Sequence, residues 1–239
     1  MPEGLRERVA AWQAGRLEVA APRDAATVVL LRDTPAGLEV LLLRRAASLA
    51  FAGGRYVFPG GTLAPGDERW QGPLPPGWAE LLGSGDDRVA RAVVGAAVRE
   101  TAEECGVWLG GCPAPPGPPT VAGLPLGTDL LRPWAHWITP EFEPRRYDTR
   151  FLVAAVPDGQ QPRSRTGETD DARWVRPAHA DRLAMLPPTA HTLGELAGFD
   201  TVAQVLATAR EIRPVRPVAA VVDGEIRLLM PWHAEYPRP

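Results

Sequence analysis

The chain has 239 residues, 45% of them hydrophobic, which is enough to bury a substantial core and argues against disorder. A formal net charge of -3 argues against the concentrated basic surface that broad nucleic-acid binding usually needs, and the fact that all 26 basic residues are arginine carries no functional weight. Only Cys105 and Cys112 are present, with no CxxC and no paired framework, so a reducing cytoplasm is expected and a metal-thiolate site is not.

The N-terminal stretch MPEGLRERVAAWQAG is charged and amphipathic, lacks the apolar core of a secretory signal, and predicts a short helix over 5–14. The longest apolar runs, such as AATVVLL at 25–31, are too short to span a bilayer. ATVVLLR (26–32) and LEVLLLR (38–44), joined by a Pro-Gly turn, predict a strand pair. RYVF (55–58) predicts a third strand that ends at Pro59-Gly60-Gly61, where two glycines permit close approach of backbone to a partner.

Residues 62–87, rich in glycine and containing PLPPG, Trp70 and Trp78, have little periodicity and read as an inserted loop. A helix is predicted from Arg88 to about Cys105, stopped by Gly106. The proline-dense PAPPGPP at 113–119 reads as a second surface loop. PWAHWIT (133–139) and TRFLVAAVP (149–157) are strand-like, and a polar loop leads from them to ARWVRP. Helices are predicted near 188–197 and 200–211, and Asp223-Gly224 between PVAAVV and EIRLLM signals a hairpin. Strands mixed with helices throughout predict one α/β domain over 1–239, with a helix and hairpin extension at about 200–239.

The stretch AAVRETAEECGV at 96–107 carries three carboxylates at offsets of zero, three and four. On a helix, Glu103 lies about 60° to one side of Glu100 and Glu104 about 40° to the other, so all three share a face. Val94, Val98, Thr101, Ala102 and Cys105 fall opposite. Spacing alone leaves open a solvated acidic face with an Arg99–Glu103 pair. Three crowded carboxylates repel, however, and a divalent cation would relieve that repulsion; oxygen ligands without His or Cys favour Mg²⁺ or Mn²⁺. The four histidines, His136, His179, His191 and His233, show no HxH or HExxH spacing and are expected to be structural or exposed.

Residues 99–107, Arg-Glu-Thr-Ala-Glu-Glu-Cys-Gly-Val, with Gly61 and Asp67 upstream, resemble the Nudix hydrolase box G-x5-E-x7-R-E-U-x-E-E-x-G-U, in which U is a bulky apolar residue. Thr101 stands at the first U, and Asp67 replaces the first glutamate. Between Asp67 and Arg99 lie 31 residues rather than seven, an insertion of 24. Leu41-Leu42, Arg45-Ala46, Gly54 and Phe58-Pro59-Gly60-Gly61 are similar to a motif of the coenzyme A diphosphatase branch, with departures at Leu43 and Ala50. HWITPEFEPRRYDTRF at 136–151 looks like the segment that follows the box in the peroxisomal coenzyme A-hydrolysing subgroup, whose box is also interrupted. The likeness covers most of residues 25–195.

The resemblance implies a Nudix fold, a mixed β-sheet sandwiched between helices, and a Mg²⁺-dependent (or Mn²⁺-dependent) diphosphatase acting on a nucleoside diphosphate linked to another group. Coenzyme A or an acyl-coenzyme A is the leading substrate expected; ADP-ribose, a dinucleotide or a nucleotide sugar is the alternative, and a nucleotide-binding module without catalysis is the alternative of another class. It further implies that Glu100, Glu103 and Glu104 hold the metal and that Arg99 orients a ligating glutamate. Nudix relatives often form homodimers, which makes a homodimer a candidate assembly here, with the final hairpin one segment able to pair across a subunit boundary. Glu168, in the GETDDARWV loop, is the candidate for a further ligand or general base. Gly60, Gly61, Arg45 and Arg146 are the expected substrate contacts, with Arg44, Arg55 and Arg145 further candidates for steering phosphate and Trp70, Trp78, Trp134 and Trp137 for stacking or packing.

Overall fold

The computed structural model describes residues 4–49, 52–111, 114, 117, 119–165, 167–222 and 225–236. Helix α1 (Leu5–Gln13) precedes the two longest strands, β1 (Arg23–Thr34) and β2 (Gly37–Arg45), which pair antiparallel with Leu31 opposite Val40. Their near-continuous apolar runs are those of strands covered on both faces. Ala26, Val28 and Leu30 enter one core layer, whereas Val29 and Leu31 enter the other, as the period of two requires.

After β3 (Tyr56–Val57) the chain forms β4 (Gly60–Thr62), antiparallel to Ala25–Thr27 of β1. The sequence predicts only a strand end at these glycines. A Cβ on Gly60 would sit 2.3 Å from the Ala26 carbonyl oxygen, so the pairing is as close as only glycine allows.

Residues 62–87 are not a bare loop. They contain α2 (Trp78–Leu81), and Trp70, Trp78 and Leu82 are buried in the layer that also holds Val28 and Leu30. Low periodicity concealed this, because the segment is anchored by single bulky residues. The Trp70 indole N–H donates to the Arg91 carbonyl (2.9 Å), and the Arg91 guanidinium lies over its ring.

Helix α3 (Asp87–Cys105) packs on that layer, and β5 (Leu131–Ile138) pairs antiparallel with β6 (Tyr147–Ala155), which runs parallel to β1. Strand β7 (Thr169–Val175) pairs with β2, and α4 (Pro187–Leu196) and α5 (Val202–Ala207) cover the opposite sheet face through Leu193, Leu196, Val202 and Val205. The result is a mixed sheet between helices on both faces.

Helix α5 is shorter than the predicted 200–211. Thr201 and Gln204 form a capping box at its start, but beyond Ala207 the Arg210 side chain is drawn to Glu195 (2.6 Å) and the Trp134 carbonyl (3.2 Å). Strand β8 (Pro214–Val215) joins β5, and β9 (Val218–Val222) pairs with β10 (Glu225–Leu229) as the predicted hairpin. Its Asp223-Gly224 turn lies outside the described residues, as do Ala50, Cys112 and most of the 113–119 loop. Among the described residues no helix is long and apolar enough to cross a membrane.

Gly95, in the interior of α3, marks where the inserted segment meets the helix. A Cβ there would lie 1.9 Å from the Asp67 carbonyl oxygen. Alanine normally stabilises a helix interior relative to glycine by about 1 kcal/mol, but here it would have to push backbone aside. Gly95→Ala is expected to lower stability by about 1–3 kcal/mol, read as a fall in the urea midpoint. A rise would show that helix and segment are not in contact.

Candidate active site

Helix α3 begins where the Asp86 carboxylate accepts the Arg88 N–H (2.8 Å) and ends at Gly106, whose φ of 71° provides the left-handed stop. Val94, Val98, Thr101 and Cys105 are fully buried on its inner face. The Thr101 hydroxyl donates to the Ala97 carbonyl (2.7 Å), so a polar residue is accommodated at an apolar position. This seating fixes the rotation of the helix and directs Glu100, Glu103 and Glu104 toward the Gly60-Gly61 turn and Arg99.

The turn meets two of the three glutamates. The Gly60 N–H donates to Glu104 Oε2 (3.0 Å), and a Cβ on Gly61 would lie 2.3 Å from Glu100 Oε1. Any side chain at either position would displace a carboxylate or a strand.

Arg99 organises the remainder. Its Nε and Nη2 donate to the two oxygens of Asp67, each at 2.9 Å, in a bidentate pair. Its Nη1 donates to Glu100 (2.8 Å) and Glu103 (3.2 Å), and Nη2 also donates to the Thr62 carbonyl (3.1 Å). The predicted Arg99–Glu103 pair therefore exists, but as one spoke of a hub. Asp67 is 2% exposed and also accepts the Ala64 N–H (2.8 Å). Its place is structural: it holds Arg99, and the insertion closes on itself so that two residues separated by 31 positions meet directly. The Gly61-x5-Asp spacing and the helix-interior Gly95 were the available sequence signals.

Glu168 lies at the edge of the cluster. Its carboxylate is 3.5 Å from Arg45 Nη2, its carbonyl accepts the Ala46 N–H (2.8 Å), and its side chain is 60% exposed. Burial pushes the Glu104 carboxyl up to about 7; the Gly60 N–H and Arg45 oppose that rise, while Glu100 and Glu168 add to it. Burial also raises Glu100, against the pull of Arg99. Arg45, Glu104 and Glu168 thus act on one another.

Arg146 requires a correction. It is 6% exposed, and its guanidinium donates to the carbonyls of Thr139 (3.1 Å) and Ala20 (2.7 Å), so it fastens the β5–β6 turn to the segment before β1 and is not presented to substrate. Arg44 pairs with Asp170 (2.6 Å), and Arg55 donates to the Met185 carbonyl. Trp70, Trp78, Trp134 and Trp137 are all buried as packing residues. Buried His136 contacts Asp148, and His191 stacks on Trp232.

The donor set fits a hard divalent cation. Asp67, Glu100 and Glu103 converge on one guanidinium, with Glu104 beside them, so negative charge is left over in a desolvated setting. Among the described residues no three His, Cys, Asp or Glu side chains already stand in a coordinating cage. In this arrangement the glutamates rest on Arg99 and the glycine turn.

A mixed sheet between helices, with a glycine turn set against a carboxylate-bearing helix, constitutes a Nudix fold. The chain belongs to the Nudix family, that of the Nudix hydrolases: the NUDIX domain model matches residues 21–195. It is 29% identical over 200 residues to "Putative nudix hydrolase 7" of Caenorhabditis elegans, a match that covers 73% of this chain and 60% of that protein's length. It is similar to the crystal structure of a Nudix hydrolase from Alicyclobacillus acidocaldarius, with a TM-score of 0.60 and 27% identity over 80% of this chain and 98% of that one.

Proposed function

We propose that this protein is a Mg²⁺-dependent diphosphatase of the cytoplasm that cleaves a nucleoside diphosphate linked to another group, with coenzyme A or an acyl-coenzyme A as the leading substrate. The observation that carries this reading is the bidentate Asp67–Arg99 pair, which rejoins the interrupted box and places Glu100 and Glu104 against Gly60-Gly61. The residues at Leu41-Leu42, Arg45-Ala46 and Phe58-Pro59-Gly60-Gly61 support the substrate choice through their likeness to the coenzyme A diphosphatase motif.

Glu100, Glu103 and Glu104, with Glu168 from the loop, would hold the cation. When bound, it would lower the pKa of a coordinated water and offset charge on the diphosphate. Arg99 is a positioning residue, since its guanidinium is engaged by three carboxylates and a carbonyl. The alternative role for Glu168, exposed and beside Arg45, is that of the base that accepts the proton of the attacking water. Water adds to one phosphorus as the bond to the bridging oxygen breaks, and 3′,5′-ADP and a phosphopantetheine product leave.

Hydrolysis of coenzyme A, ADP-ribose, NADH and nucleotide sugars with Mg²⁺ tests this, with Glu103→Gln as the control. Coenzyme A is expected to turn over fastest, and the variant to lose at least about 100-fold, the upper range seen for disrupting even the outer shell of a metal site. No cleavage by the wild type would leave nucleotide binding without catalysis, whereas full activity in Glu103→Gln would remove Glu103 from the metal-holding set. A nucleotide sugar or ADP-ribose cleaved faster than coenzyme A would change only the substrate.

A further inference from the structure

The loop between β6 and β7 is fastened to the C-terminal end of α3. The Arg163 N–H donates to the Cys105 carbonyl (3.1 Å) and the Arg165 N–H to the Glu104 carbonyl (3.0 Å), while the Gln160 side chain brackets the Trp108 backbone, accepting its N–H (2.7 Å) and donating to its carbonyl (3.0 Å). The two arginine N–H groups bond to consecutive carbonyls at the end of the helix, and both arginines border the same cleft. The stem of Arg165 lies over Gly106, where a Cβ would meet its Cδ at 2.8 Å. The guanidinium is therefore held over the helix end by a surface only glycine provides.

Arg163 and Arg165, with Gln161 and Ser164, line a cleft of about 600 Å³, a volume in the range of small-ligand sites. Among the described residues no carboxylate lines it. A neighbouring cleft of about 310 Å³ shares Gly106 and Arg165 and includes Glu103 of the carboxylate cluster. Arg165 thus stands where the two meet. Both arginines are exposed, and among the described residues no ion pair engages either of them, unlike Arg44, Arg45 and Arg99.

Two unspent guanidiniums beside an acidic cluster match a dianion better than a single carboxylate, since each can donate two parallel hydrogen bonds to phosphate oxygens. We propose that the Arg163–Arg165 cleft is a second anion subsite, which takes a phosphomonoester carried by the substrate away from the diphosphate that is cut. The assignment rests on the diphosphatase activity proposed for the carboxylate cluster. It makes these arginines specificity residues and leaves the chemical step to the glutamates.

The test uses the full chain and its Arg163→Ala/Arg165→Ala variant, with Mg²⁺ present. Calorimetry compares adenosine 3′,5′-bisphosphate with AMP, and steady-state kinetics compare coenzyme A with dephospho-coenzyme A. The wild type is expected to bind the bisphosphate at least about tenfold more tightly, the size of one charge-assisted contact, and the variant to lose that preference. KM for coenzyme A should rise about tenfold in the variant with kcat within about twofold, while dephospho-coenzyme A is unaffected.

Arginines that merely complement the helix end would not discriminate between nucleotides, so equal weakening of both overturns the subsite. A wild type without preference does the same, including the case in which inorganic phosphate competes equally with both nucleotides. Should no substrate be cleaved while the arginine-dependent preference persists, the subsite stands and the diphosphatase reading fails. Cleavage of coenzyme A with unchanged kinetics in the variant means the opposite: the diphosphatase stands and the subsite falls.

Discussion

Replacing Arg99 with methionine is expected to destabilise the protein by about 3–5 kcal/mol, the usual cost of leaving buried carboxylates without their cation. Asp67 is almost wholly buried and would keep the Ala64 N–H as its remaining hydrogen-bond donor, while Glu100 and Glu103 would face each other unscreened. The link between insertion and helix would loosen with it. The combined Asp67→Leu/Arg99→Met variant should recover part of the loss, because removing both members of a buried pair costs less than removing one. Urea unfolding of the wild type, both single variants and the double variant measures this, with an expected coupling of about 1–3 kcal/mol. Additive single effects would mean that Asp67 and Arg99 do not act as a unit.

The second large effect separates stability from activity at Glu104. Its folded-state pKa is raised to about 7, above the value of 4.5 for a free glutamate, chiefly by burial. A raised pKa means that the native state binds the proton more tightly than the unfolded chain. The associated stability is therefore fully present below pH 4.5 and lost as pH climbs through about 7, by about 3 kcal/mol for this shift. Glu104→Gln, which cannot ionise, is expected to match the metal-free wild type near pH 4.5 and to exceed it at about pH 8, above the raised pKa.

That same variant should lose at least about 100-fold in Mg²⁺-dependent hydrolysis, since a carboxylate expected to hold the cation is gone. For the wild type, Mg²⁺ should raise the melting temperature more at about pH 8 than at about pH 5, because the cation competes with the proton for the same oxygens. Melting curves with Mg²⁺ and with EDTA at both pH values decide it. Equal stabilisation at the two pH values would remove Glu104 from the cation's surroundings, and a Glu104→Gln variant less stable than the metal-free wild type on the alkaline side would overturn its raised pKa. A more stable but inactive variant is the mark of a group held in an unfavourable state for function.

The periodic elements were legible because their signals are local. The apolar runs of β1 and β2 and the helix from Asp87 to Cys105 declare themselves within a few residues, through periods of two and of about 3.6. The shared face of Glu100, Glu103 and Glu104 follows from helix geometry alone. Trp70 and Trp78 were less legible: they lie in an aperiodic, glycine-rich stretch, and their burial depends on α3 and the sheet coming to meet them. Arg146 was misread because an arginine in a polar turn looks the same in sequence whether it faces solvent or two backbone carbonyls.

By itself the sequence determined the α/β pattern, the carboxylate face of α3 and its glycine stop, each governed by residues adjacent in the chain. Only the tertiary structure decided that Asp67 pairs with Arg99 across the insertion, that Gly60 and Gly61 meet Glu104 and Glu100, and that Arg163 and Arg165 line a cleft beside Glu103. Those contacts join segments tens of residues apart. They form because burying Trp70 and Val28 in one layer returns the inserted chain to the helix, and no spacing rule encodes that return.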